Sequence, residues 1–319
     1  MCTAIHDGIF FGRTLDLELT YGECLTIAPR KFPLSFKHQK DLTEHFAIMG
    51  VAHICADTPL YYDAVNEYGL ASAALNFPMC CKYFSVKSEK QNIASFELIP
   101  WILGQCKSIK EAESLLKNIN ITSDAFAHLP PTPLHWIFAD RNGSIVLEST
   151  EDGIKLHKNP LGVMTNSPEL PYHLINLANY TSLSSTAKEN TLCPNTALEQ
   201  YSRGLGGFGL PGDFSSSSRF VRAVFVKNNT LSSHRNKSST QNRFFHILNA
   251  LSIPLGCVMA ENGKPVCTQY ISSADLEKLK YCVKTYHSER TYELSFSDRP
   301  LDTEKLFTLS IGYDTDIID

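Results

Sequence analysis

The sequence predicts an α+β fold, a layered sandwich built on antiparallel sheets. Short alternating or apolar runs, rich in β-branched and aromatic residues and separated by Gly, Pro and Asp, fill the first eighty residues. Helical patterns then come in blocks, so that strands, helices, strands, helices and strands follow one another. This order lacks the regular strand–helix alternation of a parallel sheet, which favours antiparallel pairing.

The N-terminal part is predicted to hold mainly strands, and the fold is expected to start at residue 2. After an initial strand the runs are IFFGRTL, CLTIAP, FAIMGVA, YYDAV and GLASAALNF. Residues 94–105 are predicted to form a buried helix interrupted near Pro100, because proline cannot supply a backbone N–H. Ser108 and Glu111 then form a capping-box arrangement at the start of the helical segment IKEAESLLKN.

Further strands and helices complete the pattern towards the C-terminus. The strands LHWIFAD, SIVLES, GIKLH and LGVMTN include a turn from Asp140 to Gly143. Helices are predicted from Pro168 to about Leu183, at about 217–227 and at about 240–252, and strands at 266–273, 281–288 and 291–297. The polar stretch 228–242 is expected to be a mobile loop rather than a domain boundary, since no repeat or Pro/Ser-rich linker divides the chain.

Composition and charge exclude several classes of protein. The chain has 319 residues, of which 43% are hydrophobic and 19% charged, which is ordinary for a soluble globular protein. Its net charge of −4 is too small and of the wrong sign for a nucleic-acid-binding surface. No apolar stretch approaches the roughly 20 residues of a membrane span. The N-terminus lacks a basic region and a long apolar region, so the expected location is the cytoplasm.

The ten cysteines are expected to be reduced thiols rather than disulfides. Most of them are interpreted as small buried apolar residues rather than metal ligands. No CxxC pair occurs, and the adjacent Cys80 and Cys81 have a poor geometry for tetrahedral zinc. The glycine-rich loop at 202–213 has neither a GxxxxGK[ST] nor a GxGxxG spacing. The sequence therefore predicts no metal and no organic cofactor.

Cys2 is the first candidate for chemistry because it directly follows the initiator methionine. Removal of Met1 would give Cys2 a free α-amine with an ordinary pKa of about 7.7–8.0, so that one residue supplies both nucleophile and base. Arg13 and Asp16 in FGRTLD follow on the predicted second strand. Pairing of the first two strands would bring a cation near the thiol, which favours thiolate, and a carboxylate near the amine. The alternatives are an incidental cysteine and an ordinary surface ion pair.

Six motifs occur in register over residues 1–222: MCTAI, FGRTLD, ALNFP, LHWIFAD, GVMTNSP and GLPGDFSSSSRFVRA. Together they resemble the choloylglycine hydrolase family, which contains the bile salt hydrolases and the penicillin V acylases. The segments RFFHILNALSIPLG and TQYISSADLEKLKYCVKTY are similar to the remainder of that family. The resemblance implies a four-layer αββα sandwich of two antiparallel sheets, the Ntn-hydrolase fold. It also implies one catalytic domain over residues 2–319, with Met1 removed, in a homotetramer.

The resemblance also carries functional roles onto single positions. By it, Cys2 matches the nucleophile, and Arg13 and Asp16 match the residues beside it. Asn76 matches a backbone donor to the oxyanion and Asn166 its side-chain donor, while the second arginine of the site corresponds to Arg219. Two preorganised N–H donors suit the negative oxygen of an acyl-transfer intermediate. The alternative for the two asparagines is turn chemistry.

The substrate expected from the resemblance is a glycine- or taurine-conjugated bile salt, because Asn at position 76 is similar to bile salt hydrolases, whereas penicillin V acylases more often have Tyr there. A rigid steroid with a short anionic tail needs an apolar wall. The candidates for that wall, which could instead be core residues anchoring loops, are Leu19, Tyr21, Leu60, Tyr61, Phe126 and Leu134.

Two departures from the family pattern bear on the substrate. The loop HDGIF is shorter than in many members, and Cys80-Cys81 replaces bulkier residues. The alternatives are a hydrolase acting on penicillin V or another N-acyl amide, and an inactive steroid- or lipid-binding protein. Retention of all six matched positions argues against loss of activity.

Two further sets of residues have predicted roles. Ser202 and Arg203 in SRGLGGFGLPGD are predicted to bind the substrate tail, and the glycines of this loop let its backbone approach a ligand closely. A preference for taurine conjugates is expected, since a guanidinium offers five donors to a sulfonate. The two residues could reach the substrate from a neighbouring subunit. The alternative for Arg203 is a surface or subunit-interface ion pair. His135 is interpreted as a core histidine rather than a base, and His173, on a predicted helix, could be either. No Ser-His-Asp or Cys-His triad is required if the α-amine is the base.

Overall fold

The computed structural model describes residues 1–231, 239–288 and 290–312. Its strands are β1 (Cys2–Asp7), β2 (Phe10–Leu17), β3 (Cys24–Ala28), β4 (Ile48–Cys55), β5 (Thr58–Asn66), β6 (Ala71–Asn76), β7 (Gln91–Ala94), β8 (Ile119–Thr122), β9 (Leu134–Asp140), β10 (Gly143–Thr150), β11 (Gly153–Lys158), β12 (Val163–Met164), β13 (Val258–Met259), β14 (Pro265–Asp275), β15 (Lys280–Thr285), β16 (Thr291–Ser295) and β17 (Phe307–Ser310). The α-helices are α1 (Leu98–Leu103), α2 (Ile109–Leu116), α3 (Leu170–Asn176), α4 (Ser216–Asn229) and α5 (Ser239–Asn249).

Two antiparallel sheets form the centre of the molecule. The first has the order β12-β1-β2-β14-β15-β16, with β13 paired to β14, and the second has the order β11-β10-β9-β6-β5-β4-β3-β17. The first sheet joins the N-terminal hairpin to strands near the C-terminus, and β17 closes the second sheet against β3. Each sheet thus depends on chain segments far apart in sequence.

Helices cover the outer face of each sheet, which gives the αββα sandwich. One apolar core joins the inner faces of the sheets and continues through the first sheet to α4 and α5. A second core, centred on the buried Trp136 and Trp101, lies between the second sheet and helices α1 and α2. Side chains alternate between the two faces of a strand, and each sheet packs against the other sheet on one face and against helices on the other. The central strands are therefore buried on both faces. The predicted fold class is confirmed by this architecture.

One glycine lets strand β2 approach its neighbour β14 closely, within the first sheet and next to Arg13. A Cβ at Gly12 would stand 2.0 Å from the backbone oxygen of Ser272, in the adjacent strand β14. Any other residue would push these strands apart beside Arg13. The glycine of FGRTLD therefore has a packing reason.

The predicted elements agree with the structure, except at short elements and at prolines. The helix predicted over 94–105 is a strand to Ala94, a 3-10 turn and then α1, and Pro100 does not interrupt α1 because it lies in the first turn, where N–H groups have no intrahelical acceptor. The predicted helix from Pro168 begins at Leu170 and ends as a 3-10 turn at Tyr180.

Three short features were not predicted: the parallel pair β7–β8, strand β13 and strand β17. Of the polar stretch 228–242, residues 232–238 lie outside the described residues, and its two ends belong to α4 and α5. Of the ten free cysteines only four are buried, Cys2, Cys106, Cys267 and Cys282, so the prediction that most of them are buried is wrong. Among the described residues no helix is long and apolar enough to cross a membrane.

Candidate active site

Cys2 is fixed at the start of β1 by pairing with β2. Cys2 lies opposite Leu15, is 3% exposed and lines a cavity between the sheets. Its backbone N–H donates to Asn166 Oδ1 at 2.9 Å. This peptide nitrogen becomes the α-amine when Met1 is removed, so Asn166 would orient the lone pair that the thiol needs as a base.

Asp16 lies at the same end of this pair of strands, one residue beyond Leu15, and is fully buried. Its carboxylate accepts hydrogen bonds from Thr14 Oγ1 at 3.0 Å and Thr268 Oγ1 at 2.6 Å. With Met1 in place, the terminal amine donates to the backbone oxygen of Asp16 at 2.7 Å rather than to its carboxylate. Burial raises the pKa of Asp16, although the charge of Arg219 and the terminal amine oppose that shift.

Arg13 is a fully buried cation beside the thiol. Its Nη1 donates to Ala74 O at 2.6 Å and to Tyr62 O at 3.1 Å, and it lines the same cavity as Cys2. Burial alone would lower its pKa, but Coulombic interactions with Cys2, Tyr270 and Asp63 raise it above the ordinary value. The guanidinium therefore stays charged and supplies a positive potential at the sulfur.

Arg219, on α4, connects three parts of the site. Its Nη1 donates to Cys2 O at 2.5 Å and to Thr3 Oγ1 at 2.6 Å, and its Nη2 donates to Asn166 Oδ1 at 2.6 Å. Because Oδ1 accepts from both Arg219 and the backbone of Cys2, the amide orientation of Asn166 is determined. Burial lowers the pKa of Arg219, with Asp16 opposing that shift.

Asn166 and Asn76 meet at the ends of neighbouring strands. Asn166 Nδ2 donates one hydrogen to Asn76 O at 2.7 Å, which leaves its second hydrogen available to a substrate. Phe77 N donates to Pro133 O at 2.8 Å. Since N–H and C=O groups of alternate residues point to the same side of a strand, the Asn76 N–H points away from Pro133, towards Arg13 and Asn166. Two N–H donors thus converge beside Cys2.

A cavity of about 340 Å³ opens in front of these groups, within the roughly 300–1,000 Å³ typical of small-molecule sites. Its lining is mainly apolar and includes all six residues predicted as the wall: Leu19, Tyr21, Leu60, Tyr61, Phe126 and Leu134. The sequence did not predict several other lining residues, chiefly Leu17, Tyr62, Phe96, Ile99 and the run Leu129–Thr132. The position of the run Leu129–Thr132 at the cavity depends on tertiary packing, which local sequence patterns do not give.

A sequence profile described as linear amide C–N hydrolases, choloylglycine hydrolase family, matches residues 2–309. This chain belongs to the choloylglycine hydrolase family. It is an amide C–N hydrolase with the Ntn-hydrolase fold.

Named relatives and solved structures agree with this membership. The chain is 43% identical over 312 residues to a bile salt hydrolase/transferase of Lactiplantibacillus plantarum, covering 97% of this chain and 96% of the relative. It is 33% identical to one of Clostridium perfringens, covering 97% and 96%. A crystal structure of a mutant conjugated bile acid hydrolase from Clostridium perfringens superposes with a TM-score of 0.89 at 32% identity, covering 97% and 96%. A penicillin V acylase from Agrobacterium tumefaciens gives 0.77 at 20% identity, covering 98% and 92%, which shows the shared fold alone.

Two predicted residues of this choloylglycine hydrolase family member lie away from the cavity. Ser202 and Arg203 are exposed and are not among the lining residues. The Ser202 hydroxyl donates to the backbone oxygen of Arg203 at 3.1 Å, and Gly204 follows with a φ of 82°. Within one chain they form a surface loop, so a role at a substrate tail requires a neighbouring subunit.

The two histidines considered from the sequence lie behind the site. His135 and His173 are buried, neither lines the cavity, and each ring contacts a backbone oxygen. His135 is a core histidine as interpreted.

One group of side chains has the spacing of a metal site among the described residues. Ligand atoms of Glu148, His157 and Glu169 lie within 4.8 Å of one another. Each carboxylate already has a partner from the protein, since Lys155 Nζ lies 3.0 Å from Glu169 and His157 Nε2 lies 3.1 Å from Glu148. Both carboxylates of the group therefore lie beside a protein nitrogen.

Proposed function

We propose that this chain hydrolyses the amide bond of glycine- or taurine-conjugated bile acids, with Cys2 as the nucleophile once Met1 is removed. The observation that supports this most is the position of a buried thiol between a charged Arg13 and two convergent N–H donors, at the end of an apolar cavity. The 43% identical relative named as a bile salt hydrolase/transferase supports the choice of substrate.

The proposed reaction proceeds in two acyl-transfer steps. The α-amine of Cys2 takes the thiol proton, the sulfur attacks the carbonyl carbon and a C–S bond forms. The oxyanion accepts hydrogen bonds from the Asn76 N–H and from Asn166 Nδ2, each worth roughly 2.7–4 kcal/mol. The C–N bond then breaks, and glycine or taurine leaves with the proton held on the α-ammonium. Water attacks the thioester, the C–S bond breaks, and the bile acid and the thiol are released.

In this proposal the remaining charges have supporting roles. Arg13 stabilises the thiolate through its charge. Asp16, held by two threonines, lies where it can hold the α-amine after Met1 has left. Arg219 fixes Asn166 and the backbone of Cys2. The six predicted wall residues would hold the steroid by burying its apolar surface.

The organisation of the protein is part of the same proposal. Residues 2–319 would form one catalytic domain, which agrees with both sheets combining strands from the two ends of the chain. We place the enzyme in the cytoplasm as a homotetramer. Apolar side chains exposed on the segment between α3 and α4 support an interface between subunits. They are Leu192, Leu198, Tyr201 and Phe208.

A turnover assay tests the proposal directly. Protein purified without Met1 is incubated with glycocholate, taurocholate and penicillin V, with and without EDTA, and the products are quantified. We expect release of glycine or taurine that does not depend on EDTA and is lost in Cys2→Ser. If the protein hydrolyses penicillin V and neither bile salt, the proposed substrate is wrong and a penicillin V acylase is favoured. If it hydrolyses none of the three compounds, an inactive steroid- or lipid-binding protein is favoured.

A further inference from the structure

Behind Asn166, on the side away from the cavity, lies a buried group of charged and titratable side chains. Its members are His135 on β9, Glu148 on β10 and His173 on α3, which are 1%, 0% and 2% exposed. None of the three lines the cavity, so none can contact a substrate there. Burial of such groups costs free energy unless they are paired, so their contacts need an explanation.

Both histidines donate to the backbone of the segment that ends in Asn166. His135 Nε2 lies 3.0 Å from Thr165 O, and His173 Nε2 lies 3.0 Å from Asn166 O. Because a carbonyl oxygen can only accept, each ring carries a proton on Nε2. Ser216 completes this set, since its hydroxyl accepts from Asn166 N at 2.9 Å and donates to Thr165 Oγ1 at 3.0 Å.

His135 also contacts the second donor of the oxyanion site. Its ring stacks on Phe77, with 4.3 Å between centroids and planes 7° apart, and Phe77 directly follows Asn76. In register, His135 lies opposite Leu75, the residue before Asn76. The His135 imidazole therefore contacts Thr165 and Phe77, which are the sequence neighbours of Asn166 and Asn76.

Glu148 connects the two histidines. Its Oε1 lies 3.5 Å from His135 Nδ1 and accepts a hydrogen bond at 2.9 Å from the N–H of Leu170, the first residue of the helix that carries His173. His157 Nε2 lies 3.1 Å from Oε2. Burial raises the pKa of Glu148, but the interactions with His135 and His157 outweigh burial and lower the pKa to about 2.

We propose that Glu148, His135 and His173 form a clamp, defined by these three residues, that positions the Asn166 and Asn76 donors for the oxyanion. They are positioning residues that act through the backbone of Thr165 and Asn166 and through the ring of Phe77. The inference rests on the proposed function, because it assumes acyl transfer at Cys2. A displacement of about 1 Å in catalytic geometry can cost about 100-fold in rate, so a clamp at this place is expected to affect rate strongly.

Two reactions of the same thiol separate this role from general stability. Acylation of Cys2 by p-nitrophenyl acetate forms an oxyanion, whereas alkylation of Cys2 by iodoacetamide displaces iodide and forms none. Rates are measured in wild type and variants by nitrophenolate release and by mass spectrometry of the Cys2 peptide. Cys2→Ser gives the background from the other nine cysteines. Bile salts are not needed, so failure of the proposed substrate leaves this test intact.

The variants are matched in size. His135→Phe keeps stacking on Phe77 and removes the donor, whereas His135→Gln retains an N–H group near the Nε2 position, and Glu148→Gln removes the charge. We expect His135→Phe and Glu148→Gln to slow acylation at least tenfold with alkylation within twofold, and His135→Gln to recover much of the acylation rate. Unchanged acylation, or an equal loss of both reactions, would overturn the clamp.

Discussion

At the scale of single residues, Arg219 shows how one buried side chain can define a site. Its donors reach the backbone of Cys2, the hydroxyl of Thr3 and the side-chain oxygen of Asn166. Two of these acceptors lie on β1 and the third lies in the segment after β12, while the arginine comes from α4. A Lys cannot reproduce three directed contacts, because it lacks the planar fork.

The N-terminal cysteine gives the first prediction. A variant in which Met1 is retained, for example by placing a bulky residue between Met1 and Cys2, should have less than about 1% of wild-type turnover, because the base would be an amide nitrogen. Cys2→Ser with Met1 removed should be similarly inactive. Mass spectrometry of the active protein checks that Met1 is absent. Full turnover by a chain that still carries Met1 would refute the α-amine as base.

Asn166→Asp gives the second prediction. The carboxylate can still accept from Cys2 N and Arg219 but cannot donate to Asn76 O or to an oxyanion. We expect kcat to fall about 10²–10³-fold, the usual loss for one oxyanion donor. Steady-state kinetics measures it, with the exposed Asn142→Asp as the control. A loss confined to KM would assign Asn166 to substrate binding instead.

The site residues could be named from the sequence because the short motifs that hold them, such as FGRTLD and TNSP, resemble those of a known family. Their cooperation could not be derived in the same way. Arg219 contacts Cys2 across 217 positions of sequence, and the ring of His135 reaches Thr165 from another strand. Contacts of this kind depend on strand order and register, which local patterns leave undetermined.

At the scale of elements, hydrophobic periodicity predicted long strands and helices and missed short ones. Strand β14 has 11 residues and a clear apolar pattern, whereas β13 has two residues and β17 lies in a segment of mixed polarity. Short elements are stabilised by their partners rather than by their own pattern. The proline of α1 was misjudged because its effect depends on its distance from the helix start.

The N-terminus of α2 gives a prediction about stability. The Ser108 hydroxyl accepts from Glu111 N at 3.3 Å, and the Glu111 carboxylate accepts from Lys107 N at 2.7 Å, one residue before the position that a strict capping box would use. Ser108→Ala should lower the free energy of unfolding by about 1 kcal/mol and leave kcat unchanged. Urea unfolding measures the loss. The exposed Ser114→Ala in the same helix is the control and should be neutral or slightly stabilising.

At the scale of the whole molecule, acid stability depends on buried carboxylates whose pKa values move in opposite directions. Burial raises the pKa of Asp16 and Asp63, whereas contacts with two histidines lower that of Glu148 to about 2, against an ordinary 4.5. A depressed folded pKa gives stability that is complete above the ordinary value and lost as the pH falls through the folded value. Asp16 and Asp63 have raised folded pKa values, so their contribution to stability is complete at pH values below the ordinary pKa and is lost as the pH rises through the folded pKa.

Comparing wild type with Glu148→Gln isolates the contribution of Glu148 to acid stability, because Asp16 and Asp63 are present in both proteins. The variant should be less stable than wild type at pH 7, and the difference should shrink as the pH falls from about 4.5 to about 2. Urea unfolding at stepped pH values measures it. Glu113→Gln, on the surface of α2, should give a small difference at every pH. A constant difference for Glu148→Gln would mean that its charge is not the stabilising feature.

The last prediction concerns the assembled enzyme, because Arg203 is outside the cavity of its own chain. If it reaches a neighbouring cavity in a tetramer, Arg203→Gly should lower kcat/KM for taurocholate more than for glycocholate. The exposed Lys188→Gly, on the same segment, should leave that ratio unchanged. Light scattering should give the mass of a tetramer for all variants, and a monomeric mass would remove the basis of this prediction.

A mixing experiment assigns the arginine to a subunit. Assemblies formed from Cys2→Ser chains and Arg203→Gly chains contain active cavities only in the latter and intact Arg203 only in the former. Recovery of the wild-type taurocholate preference in these mixed assemblies requires that Arg203 act across an interface, since no chain carries both groups. If the ratio stays at the value of Arg203→Gly alone, although mixing is verified by native mass spectrometry, a neighbouring arginine does not bind the tail. Selectivity would then have to come from residues around the cavity itself, such as Glu18 and His53.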